Sequence, residues 1–526
     1  MLCLAAALGL AGTPATAAHP SGSDPLADSI RTLLAAAQSR ETGLLAISLD
    51  RGDTLVALHA GRRLIPGSSA KLLTTSAFLR RFGAAARCTT YLEARGRANR
   101  KAGGRVRLKG DLILRGSGAP DVTQLLSAGS RGLLDSLAFL LRNEGLDRFE
   151  GTLWVDGTLF AAEYYAPSWA LEDVPNAYGA PVNAIMANGN AATLVVTAGA
   201  KGVSCAFEPP EVPLVVESAV KVGGAGEAGW LDVDRRPFDA RLRVRGMVPL
   251  DGTVRKQISV PDPDSTAGLV LLGAMRRAGI ELGDSRVRVV PHAGIAGAGS
   301  ASKGGDRVPA PAPAGSTSGW GGVSKNRTAI VTALTSPTAA ELAGIVNAIS
   351  LNAEAEALLR LLDPAPTEKH RDAGLREVRR FAAEAGVDTL DLSLVDGSGL
   401  SPQNLLTARS LVRWLWAHDR DTTLAGPFHA GLAAPGTLGT LKNRFAGFDP
   451  KAELRAKTGT LTNVSALAGY VRSAEGERIA FAMITNGSRG SVLPARQTEE
   501  EVVGLLSRYR RGAQSTLSPP PTRIPR

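Results

Sequence analysis

The two ends of this 526-residue chain share a pattern that its middle lacks. Residues 42–49 and 54–60 predict a strand pair around a turn, and residues 465–472 and 478–484 predict a second one. Helices are predicted in the end regions at 68–81, 338–348, 353–362, 369–385, 408–418 and 497–509. The middle, from about 89 to 318, alternates short strands and turns with only two predicted helices, at 133–142 and 267–278. We therefore predict one discontinuous α+β domain, residues 25–88 and 319–510, interrupted by an insertion.

Local signals within the insertion also predict strands and a linker. Short apolar runs at 106–108 and 112–114 flank Lys109-Gly110-Asp111 and predict two strands, and further strands are predicted at 153–155, 193–197, 214–217 and 241–244. Residues 292–322 are dominated by Gly, Ala, Ser and Pro and cannot form a core, so a flexible linker is predicted there. A disordered tail is predicted at 511–526.

The N-terminus predicts export. Residues 2–12 are almost wholly apolar and small residues follow, which is typical of a cleaved signal peptide, here placed at 1–18. No Lys or Arg precedes the apolar run, so we expect the translation start to lie upstream of Met1; a mobile apolar N-terminus is the alternative. No other stretch approaches the roughly 18 apolar residues of a membrane span, so a mature protein outside the cytoplasm without a transmembrane anchor is predicted.

Charge and composition exclude several classes of function. The net charge is +11, but Lys and Arg are scattered and not interleaved with aromatic residues, which argues against nucleic-acid binding. Cys3 lies in the predicted signal peptide, and Cys88 and Cys205 either form a disulfide in an oxidising compartment or are two small buried side chains. The six histidines lack metal-ligand spacing and no phosphate-binding glycine loop occurs, so neither a metal nor another cofactor is predicted.

Ser68-x-x-Lys71 is the first of three short motifs that indicate chemistry. A serine at a helix N-terminus lies at the positive end of the dipole, and Lys71 follows one turn later on the same face. A buried lysine near other cations has a lowered pKa, so its neutral amine can accept the serine proton. Ser300-x-x-Lys303 also matches but no apolar helix follows it, so we reject that copy. A simple helix cap is the alternative role for Ser68.

The second motif, Ser350-x-Asn352, precedes a predicted helix. In acyl transfer Ser350 would relay a proton between the lysine and the leaving amine, and Asn352 would hydrogen-bond a peptide backbone. Another Ser-x-Asn match begins at Ser324, and a helix cap is the more common role for such a serine. On its own this motif is therefore weak.

The third motif, Lys457-Thr458-Gly459-Thr460, lies in a run that predicts a strand lining a cleft. Its cation and hydroxyls suit a terminal carboxylate, and Gly459 permits a close approach of backbone to ligand. An exposed edge strand with a lysine is the alternative. The order of all three motifs along one chain favours a serine enzyme whose nucleophile is activated by lysine.

Longer strings around the motifs resemble the class C low-molecular-mass penicillin-binding proteins, a family of D-alanyl-D-alanine carboxypeptidases and endopeptidases. The strings are residues 66–74 (PGSSAKLLT), 110–118 (GDLILRGSG), 178–184 (YGAPVNA), 396–401 (DGSGLS), 439–441 (GTL) and 456–461 (AKTGTL). The chain departs from the family at Gly67, where Ala is frequent, at Ala119, where Asp is usual, and at Leu351, where a polar residue is common. We expect Leu351 to face away from the cleft.

The resemblance implies a penicillin-recognising transpeptidase-like, or β-lactamase-like, domain, with an antiparallel sheet of about five strands flanked by helices. It also implies a large two-part insertion. We place inserted domain II at residues 89–116 and 191–318 and a nested inserted domain III at residues 117–190.

The same resemblance implies a periplasmic serine carboxypeptidase/endopeptidase that cleaves peptidoglycan stem peptides and is acylated by β-lactams. Ser68 would be the nucleophile, Lys71 the base and Ser350 the proton shuttle, with backbone N–H groups of Ser68 and Thr460 as oxyanion hole. The implied substrate-binding residues are Asn352, Lys457, Thr458, Gly459 and Thr460. The alternatives are a β-lactamase or esterase on the same fold, distinguished by rapid turnover of penicillin, and a non-catalytic peptidoglycan-binding scaffold.

Overall fold

The computed structural model describes residues 25–37, 41–200, 202–292, 319–363, 370–488 and 490–511. Its helices are α1 (Pro25–Ala36), α2 (Lys71–Phe82), α3 (Thr123–Leu126), α4 (Leu133–Asn143), α5 (Pro263–Arg277), α6 (Ala339–Ile349), α7 (Asn352–Leu361), α8 (His370–Glu384), α9 (Ala408–Asp419), α10 (Ala425–Ala430) and α11 (Leu493–Arg508). Its strands are β1 (Glu41–Ser48), β2 (Thr54–Leu58), β3 (Thr89–Arg100), β4 (Val106–Arg115), β5 (Leu146–Asp156), β6 (Ala191–Gly199), β7 (Gly202–Glu208), β8 (Val215–Gly223), β9 (Trp230–Asp234), β10 (Arg241–Pro249), β11 (Thr253–Ser259), β12 (Glu281–Val289), β13 (Ala329–Thr335), β14 (Leu392–Ser393), β15 (Leu405–Leu406), β16 (Arg455–Leu461), β17 (Val464–Arg472) and β18 (Arg478–Asn486). The predicted signal peptide, most of the predicted linker and nearly all of the predicted tail lie outside the described residues.

Both ends of the chain build one antiparallel sheet in the order β16-β17-β18-β1-β2. The first strand pairs with the last along its whole length, from Glu41 opposite Asn486 to Ser48 opposite Ile479. Helices cover both faces of this sheet. The predicted α+β fold, an antiparallel sheet of five strands flanked by helices, is therefore confirmed.

The central strands are buried on both faces because they carry apolar side chains at nearly every position. Alternate residues of β18 from Ile479 to Met483 pack with α1 and α11. The intervening residues, from Ala480 to Ile484, pack with α2 and with helices α6 to α9. A strand presents successive side chains to opposite faces, so this run contributes to two cores at once.

The larger sheet of the insertion is mixed, with the order β12-β5-β4-β3-β13. The helix α4 connects the parallel strands β4 and β5, and α5 precedes β12, which is parallel to β5. Side chains of both helices share one apolar core with this sheet, and Trp320, from the predicted linker, is buried in it. The insertion therefore has its own hydrophobic core.

The predicted break around Gly110 is wrong, because residues 106–115 form a single strand. Gly110 lies opposite Gly96 of β3 and opposite Gly151 of β5, so glycines form a row across three strands. A Cβ at Gly151 would lie 1.9 Å from the Gly110 carbonyl oxygen. The glycines are required by close backbone contact within the sheet and do not mark a turn.

The structure nests a different segment from the predicted 117–190. Residues 191–259 form two three-stranded sheets, β11-β6-β7 and β8-β10-β9, around a separate core. Strand β5, which lies within 117–190, belongs instead to the larger sheet. The boundary between the insertion and the outer domain, predicted at residue 319, lies later in the chain. Strand β13 pairs with β3 and so belongs to the insertion, and the outer domain resumes at α6. Sequence periodicity identifies strands but gives no information on which distant strands pair.

Two further predictions concern cysteines and the membrane. Cys88 and Cys205 are both free thiols and partly buried, so they do not form the disulfide that the sequence left open. In the part of the chain that the structure describes, no helix combines the length and apolar character needed to cross a membrane.

Candidate active site

The serine and the lysine of the first motif meet where α2 begins. Gly67–Ala70 form a 3₁₀ turn that continues directly into α2 at Lys71. The Nζ atom of Lys71 lies 2.9 Å from Ser68 Oγ, and it donates to the Asn352 side-chain oxygen and to the Ser398 carbonyl, both at 2.6 Å. Two carbonyl oxygens therefore hold the side chain of Lys71, and the third tetrahedral position around its Nζ atom faces the Ser68 hydroxyl.

Burial and nearby carboxylates set the charge state of Lys71. The side chain is inaccessible to solvent, and this burial lowers the pKa of Lys71 to about 7. The carboxylates of Asp396, Glu356 and Glu354 act in the opposite direction and raise the pKa, by attraction to the ammonium form. Near neutral pH the lysine is therefore present in both its charged and its neutral form.

The carboxylate of Glu356 supports the loop formed by residues 396–401. Its Oε1 atom accepts the N–H groups of Gly397 and Ser398 at 2.7 and 2.8 Å. Burial, and then repulsion from Asp396, raises the pKa of Glu356 to about 7. By holding the backbone of this loop, Glu356 fixes the carbonyl of Ser398 against Lys71.

The acidic residues of α7 were missed by the sequence analysis. Every second position at the start of this helix is polar and buried: Asn352, Glu354 and Glu356. The available signal was the spacing of Glu356, four residues after Asn352, which places both on one helix face. A glutamate on the face that carries a motif residue is a candidate for the same site.

The second and third motifs meet at Ser350 and Lys457. Ser350 lies between α6 and α7 with a left-handed backbone (φ 71°), and Lys457 donates to its Oγ and to the carbonyl of Thr458, each at 2.8 Å. Lys457 is wholly buried, and burial together with the charge of Lys71 lowers its pKa well below the usual value. Leu351 packs against the helical core, in agreement with the expectation that it faces away from the cleft.

The strand β16 lies in backbone contact with the turn that carries Ser68. A Cβ at Gly67 (φ 51°) would lie 2.8 Å from the Thr460 nitrogen, and one at Gly459 would lie 2.1 Å from the Pro66 carbonyl oxygen. Only residues without side chains permit this approach. The backbone amides of Ser68 and Thr460 are thereby brought to one end of the cleft.

A cavity of about 570 Å³ opens over these residues. Ser68, Ser350, Thr458 and Thr460 line it, as does Arg496 of α11, which donates to the Thr460 hydroxyl at 3.1 Å. Arg496 was not predicted, and its position in a terminal helix far from the motifs gave no signal. Among the described residues, no three His, Cys, Asp or Glu side chains group as metal ligands.

The insertion contributes directly to this site. The Asn352 amide donates to the Tyr178 carbonyl at 2.9 Å, while its oxygen accepts from Lys71. The indole of Trp169 donates to Asp396 at 3.0 Å. Asn352 therefore links Lys71 to the insertion, and its expected contact with a peptide backbone stays a prediction.

Comparison with known proteins places the chain in a family. The sequence model described as the D-Ala-D-Ala carboxypeptidase 3 (S13) family matches residues 26–292 and 321–509. The D-alanyl-D-alanine carboxypeptidase of Actinomadura sp. (strain R39) is 31% identical over 489 residues, which are 89% of this chain and 81% of that protein. The D-alanyl-D-alanine carboxypeptidase DacB of Haemophilus influenzae is 25% identical over 423 residues, or 76% of this chain and 78% of that protein.

The fold is also that of a solved structure. The crystal structure of penicillin-binding protein 4 (dacB) from Haemophilus influenzae matches with a TM-score of 0.68 at 20% identity, covering 91% of this chain and 99% of that one. The resemblance noted from the motif strings is confirmed. The chain belongs to the D-Ala-D-Ala carboxypeptidase 3 (S13) family, and it is a serine hydrolase of the low-molecular-mass penicillin-binding protein type.

Proposed function

We propose that this protein hydrolyses the peptide bond that follows D-alanine in peptidoglycan stem peptides, either to release a terminal D-alanine or to cut a cross-link between two stem peptides. The reaction proceeds through an acyl-enzyme on Ser68, with Lys71 as general base. The proposal rests on the geometry of the pair formed by Ser68 and Lys71. A buried lysine with a pKa of about 7 lies 2.9 Å from a half-buried serine hydroxyl. Its two other hydrogen bonds go to carbonyl acceptors, so the neutral amine directs its lone pair at the serine proton.

Acylation then follows from this arrangement. Ser68 Oγ attacks the carbonyl carbon of the penultimate D-alanine, and its proton passes to Lys71. The backbone N–H groups of Ser68 and Thr460 stabilise the negative charge on the carbonyl oxygen. The proton held by Lys71 then passes through the hydroxyl of Ser350, which gives up one proton and gains another, to the nitrogen of the leaving amine. That amine is D-alanine in carboxypeptidase action and a neighbouring stem peptide in endopeptidase action. Water then hydrolyses the ester and restores Ser68.

We assign the binding of the substrate carboxylate to Thr458, Thr460 and Arg496. Lys457 is fully buried and its Nζ atom donates to Ser350, so it acts on the substrate through that hydroxyl. Arg496 instead borders the cleft and can form the paired hydrogen bonds that a carboxylate accepts. Gly459 contributes by permitting the approach of the strand to the serine turn.

We also propose that β-lactams acylate Ser68 and that the protein acts in the periplasm. Penicillin-binding protein 4 of Haemophilus influenzae has been crystallised in complex with a β-lactam, and its structure matches this chain with a TM-score of 0.64. The export signal predicted at residues 1–18 supports the location.

The test is the intact mass of the mature protein during incubation with benzylpenicillin. A stable adduct that maps to the Ser68 peptide is expected, and Ser68→Ala should fold and form none. Ser69→Ala is the matched control, because Ser69 is buried beside the nucleophile with no hydrogen-bond partner for its hydroxyl in the described chain, and it should react normally. An adduct that disappears quickly would support the β-lactamase alternative. Acylation of Ser68→Ala would refute the assignment.

A further inference from the structure

Two consecutive residues of the insertion reach the loop formed by residues 396–401. The hydroxyl of Ser168 lies 2.6 Å from that of Ser401, and the indole N–H of Trp169 donates to the carboxylate of Asp396 at 3.0 Å. Ser168 has a left-handed backbone (φ 65°), which is uncommon for a residue with a side chain. Such strain persists where surrounding contacts hold it, and it is concentrated at functional sites. This segment of the insertion is therefore fixed against the loop.

Asp396 organises the loop through hydrogen bonds to both of its carboxylate oxygens. One oxygen accepts the backbone N–H of Gly399 and a side-chain N–H of Asn404, both at 2.7 Å. The other accepts the backbone N–H of Ser401 at 2.7 Å and the indole N–H of Trp169. Asp396 is inaccessible to solvent, so these donors take the place of water. Of the donors named, that of Trp169 comes from the insertion.

This loop lies against both the nucleophile and the base. The Ser398 carbonyl accepts from Lys71 Nζ at 2.6 Å. A Cβ at Gly399 (φ 78°) would lie 2.0 Å from the Gly67 carbonyl oxygen, so the loop is in backbone contact with the turn that carries Ser68. A displacement of the loop would therefore change the position of Lys71 relative to Ser68.

The ring of Trp169 belongs to a small apolar core between the insertion and α7. Its side chain is 8% exposed, and the same core contains Phe160 and Val182 of the insertion and Ala353 and Ala357 of α7. Packing in this core holds the plane of the indole, and with it the direction in which the N–H points. A movement of the insertion against α7 would therefore displace the donor from the carboxylate.

We propose that Trp169 is a positioning residue for the catalytic lysine. Its N–H fixes the carboxylate of Asp396, which in turn fixes the loop at 396–401. The Ser398 carbonyl of that loop then holds Lys71 in place beside the nucleophile. The inference rests on the proposed function, because it assigns a role in acylation. A direct contact between Trp169 and the substrate is the alternative, and the two roles change different kinetic constants.

The test is the kinetics of acylation by a fluorescent penicillin, measured over a range of penicillin concentrations with the mature full-length protein. Saturation separates the dissociation constant of the first complex from the rate constant of acylation. Trp169→Phe removes the N–H and keeps an aromatic ring, so it should lower the rate constant about tenfold and leave the dissociation constant within about twofold of wild type. Trp154→Phe is the matched control and should react like wild type, because Trp154 is similarly buried in the insertion but donates to Asp111, at 3.2 Å.

A double-mutant cycle with Asp396→Asn shows whether Trp169 acts through Asp396. An amide has a single acceptor oxygen, so it cannot accept from the donors on both sides as the carboxylate does. In the Asp396→Asn background, Trp169→Phe should therefore slow acylation by less than about twofold. If Trp169→Phe does not fold, benzothienylalanine at position 169 keeps the shape of the ring and removes only the N–H, and the same loss of about tenfold is expected.

The outcomes separate this inference from the proposed function. A wild-type rate constant for Trp169→Phe, or the same slowing with and without Asp396→Asn, would overturn the positioning role. A weaker first complex with an unchanged rate constant would also overturn it and would indicate a contact with the substrate. A wild-type protein that penicillin never acylates would refute the proposed function, and this inference with it.

Discussion

Replacing Glu356 by glutamine removes a negative charge beside Lys71 while keeping a hydrogen-bond acceptor. In the structure one carboxylate oxygen of Glu356 accepts the N–H groups of Gly397 and Ser398, and the other has no hydrogen-bond partner within the described residues. Glutamine can keep its oxygen at the first position. The loop that presents the Ser398 carbonyl to Lys71 should therefore stay in place, and the change should be mainly electrostatic.

The expected shift in the pKa of Lys71 depends on its distance from Glu356, which can be bounded because both side chains hydrogen-bond to the backbone of Ser398. Its carbonyl oxygen is 2.6 Å from Lys71 Nζ and its nitrogen is 2.8 Å from Glu356 Oε1. Adding about 3.5 Å across one residue, the charges are at most about 9 Å apart. At an effective dielectric constant of about 20 this gives about 1.8 kcal/mol, or about 1.3 pKa units. Since the pKa of Glu356 is itself about 7, the carboxylate is only partly ionised, and we expect a shift of about one unit.

The direction is fixed by the sign of the charge. Ionised Glu356 stabilises the ammonium form of Lys71, so glutamine should lower the lysine pKa and keep the neutral base available at lower pH. The acid limb of the rate of acylation by a fluorescent penicillin, measured from about pH 5 to about pH 9, should move down by about one unit. Glu356→Leu, which also removes the acceptor, should be slower at every pH. Glu384→Gln, at an exposed carboxylate, is the control. Wild-type rates with an unmoved acid limb in Glu356→Gln would refute the reasoning.

Three further predictions concern residues around the site. Arg444→Ala should lower the free energy of unfolding in urea by about 3 kcal/mol, because it leaves the buried Glu499 carboxylate without its ion pair, and adding Glu499→Gln should recover most of the loss. Gly459→Ala should slow penicillin acylation about a hundredfold or more with unchanged circular dichroism, because its Cβ would lie 2.1 Å from the Pro66 carbonyl oxygen; normal acylation would contradict the assigned strand position. Burial raises the pKa of Glu356 from 4.5 to about 7 in the folded state, so this group's stabilising contribution is complete below pH 4.5 and is lost as the pH rises through about 7. Thermal melts should therefore show wild type losing stability relative to Glu356→Gln across that window, and parallel curves would argue against it.

Sequence reasoning succeeded where the information was local. The spacing of Ser68 and Lys71 places both on one turn, and the structure brings them to 2.9 Å. The pattern of residues 465–472 and 478–484 predicts a strand pair, and these residues form the neighbouring strands β17 and β18 of the sheet. The helix predicted at 133–142 is found as α4, within one residue at its end. In each case the pattern depends on residues only a few positions apart.

The remaining features depend on contacts that no local pattern records. Glu356 acquires its role from a loop that begins 40 positions later, and the pairing of β13 with β3 joins segments on either side of the whole nested module. Gly110 was interpreted as a turn residue because a lone glycine is ambiguous until its neighbours across the sheet are known. Gly96 and Gly151 are those neighbours, and nothing in the sequence pairs them.

The environment of Lys71 explains why its carboxylates matter. Burial alone would push the lysine pKa far down, leaving a neutral amine that accepts the serine proton but holds the resulting positive charge poorly. The carboxylates of Glu354, Glu356 and Asp396 oppose burial and return the pKa to about 7. A group whose pKa lies near the working pH can both accept and release a proton, which acylation and deacylation each require. The acidic residues of α7 and of the loop at 396–401 thus set the proton affinity that the proposed cycle needs, although none of them is assigned a contact with the substrate.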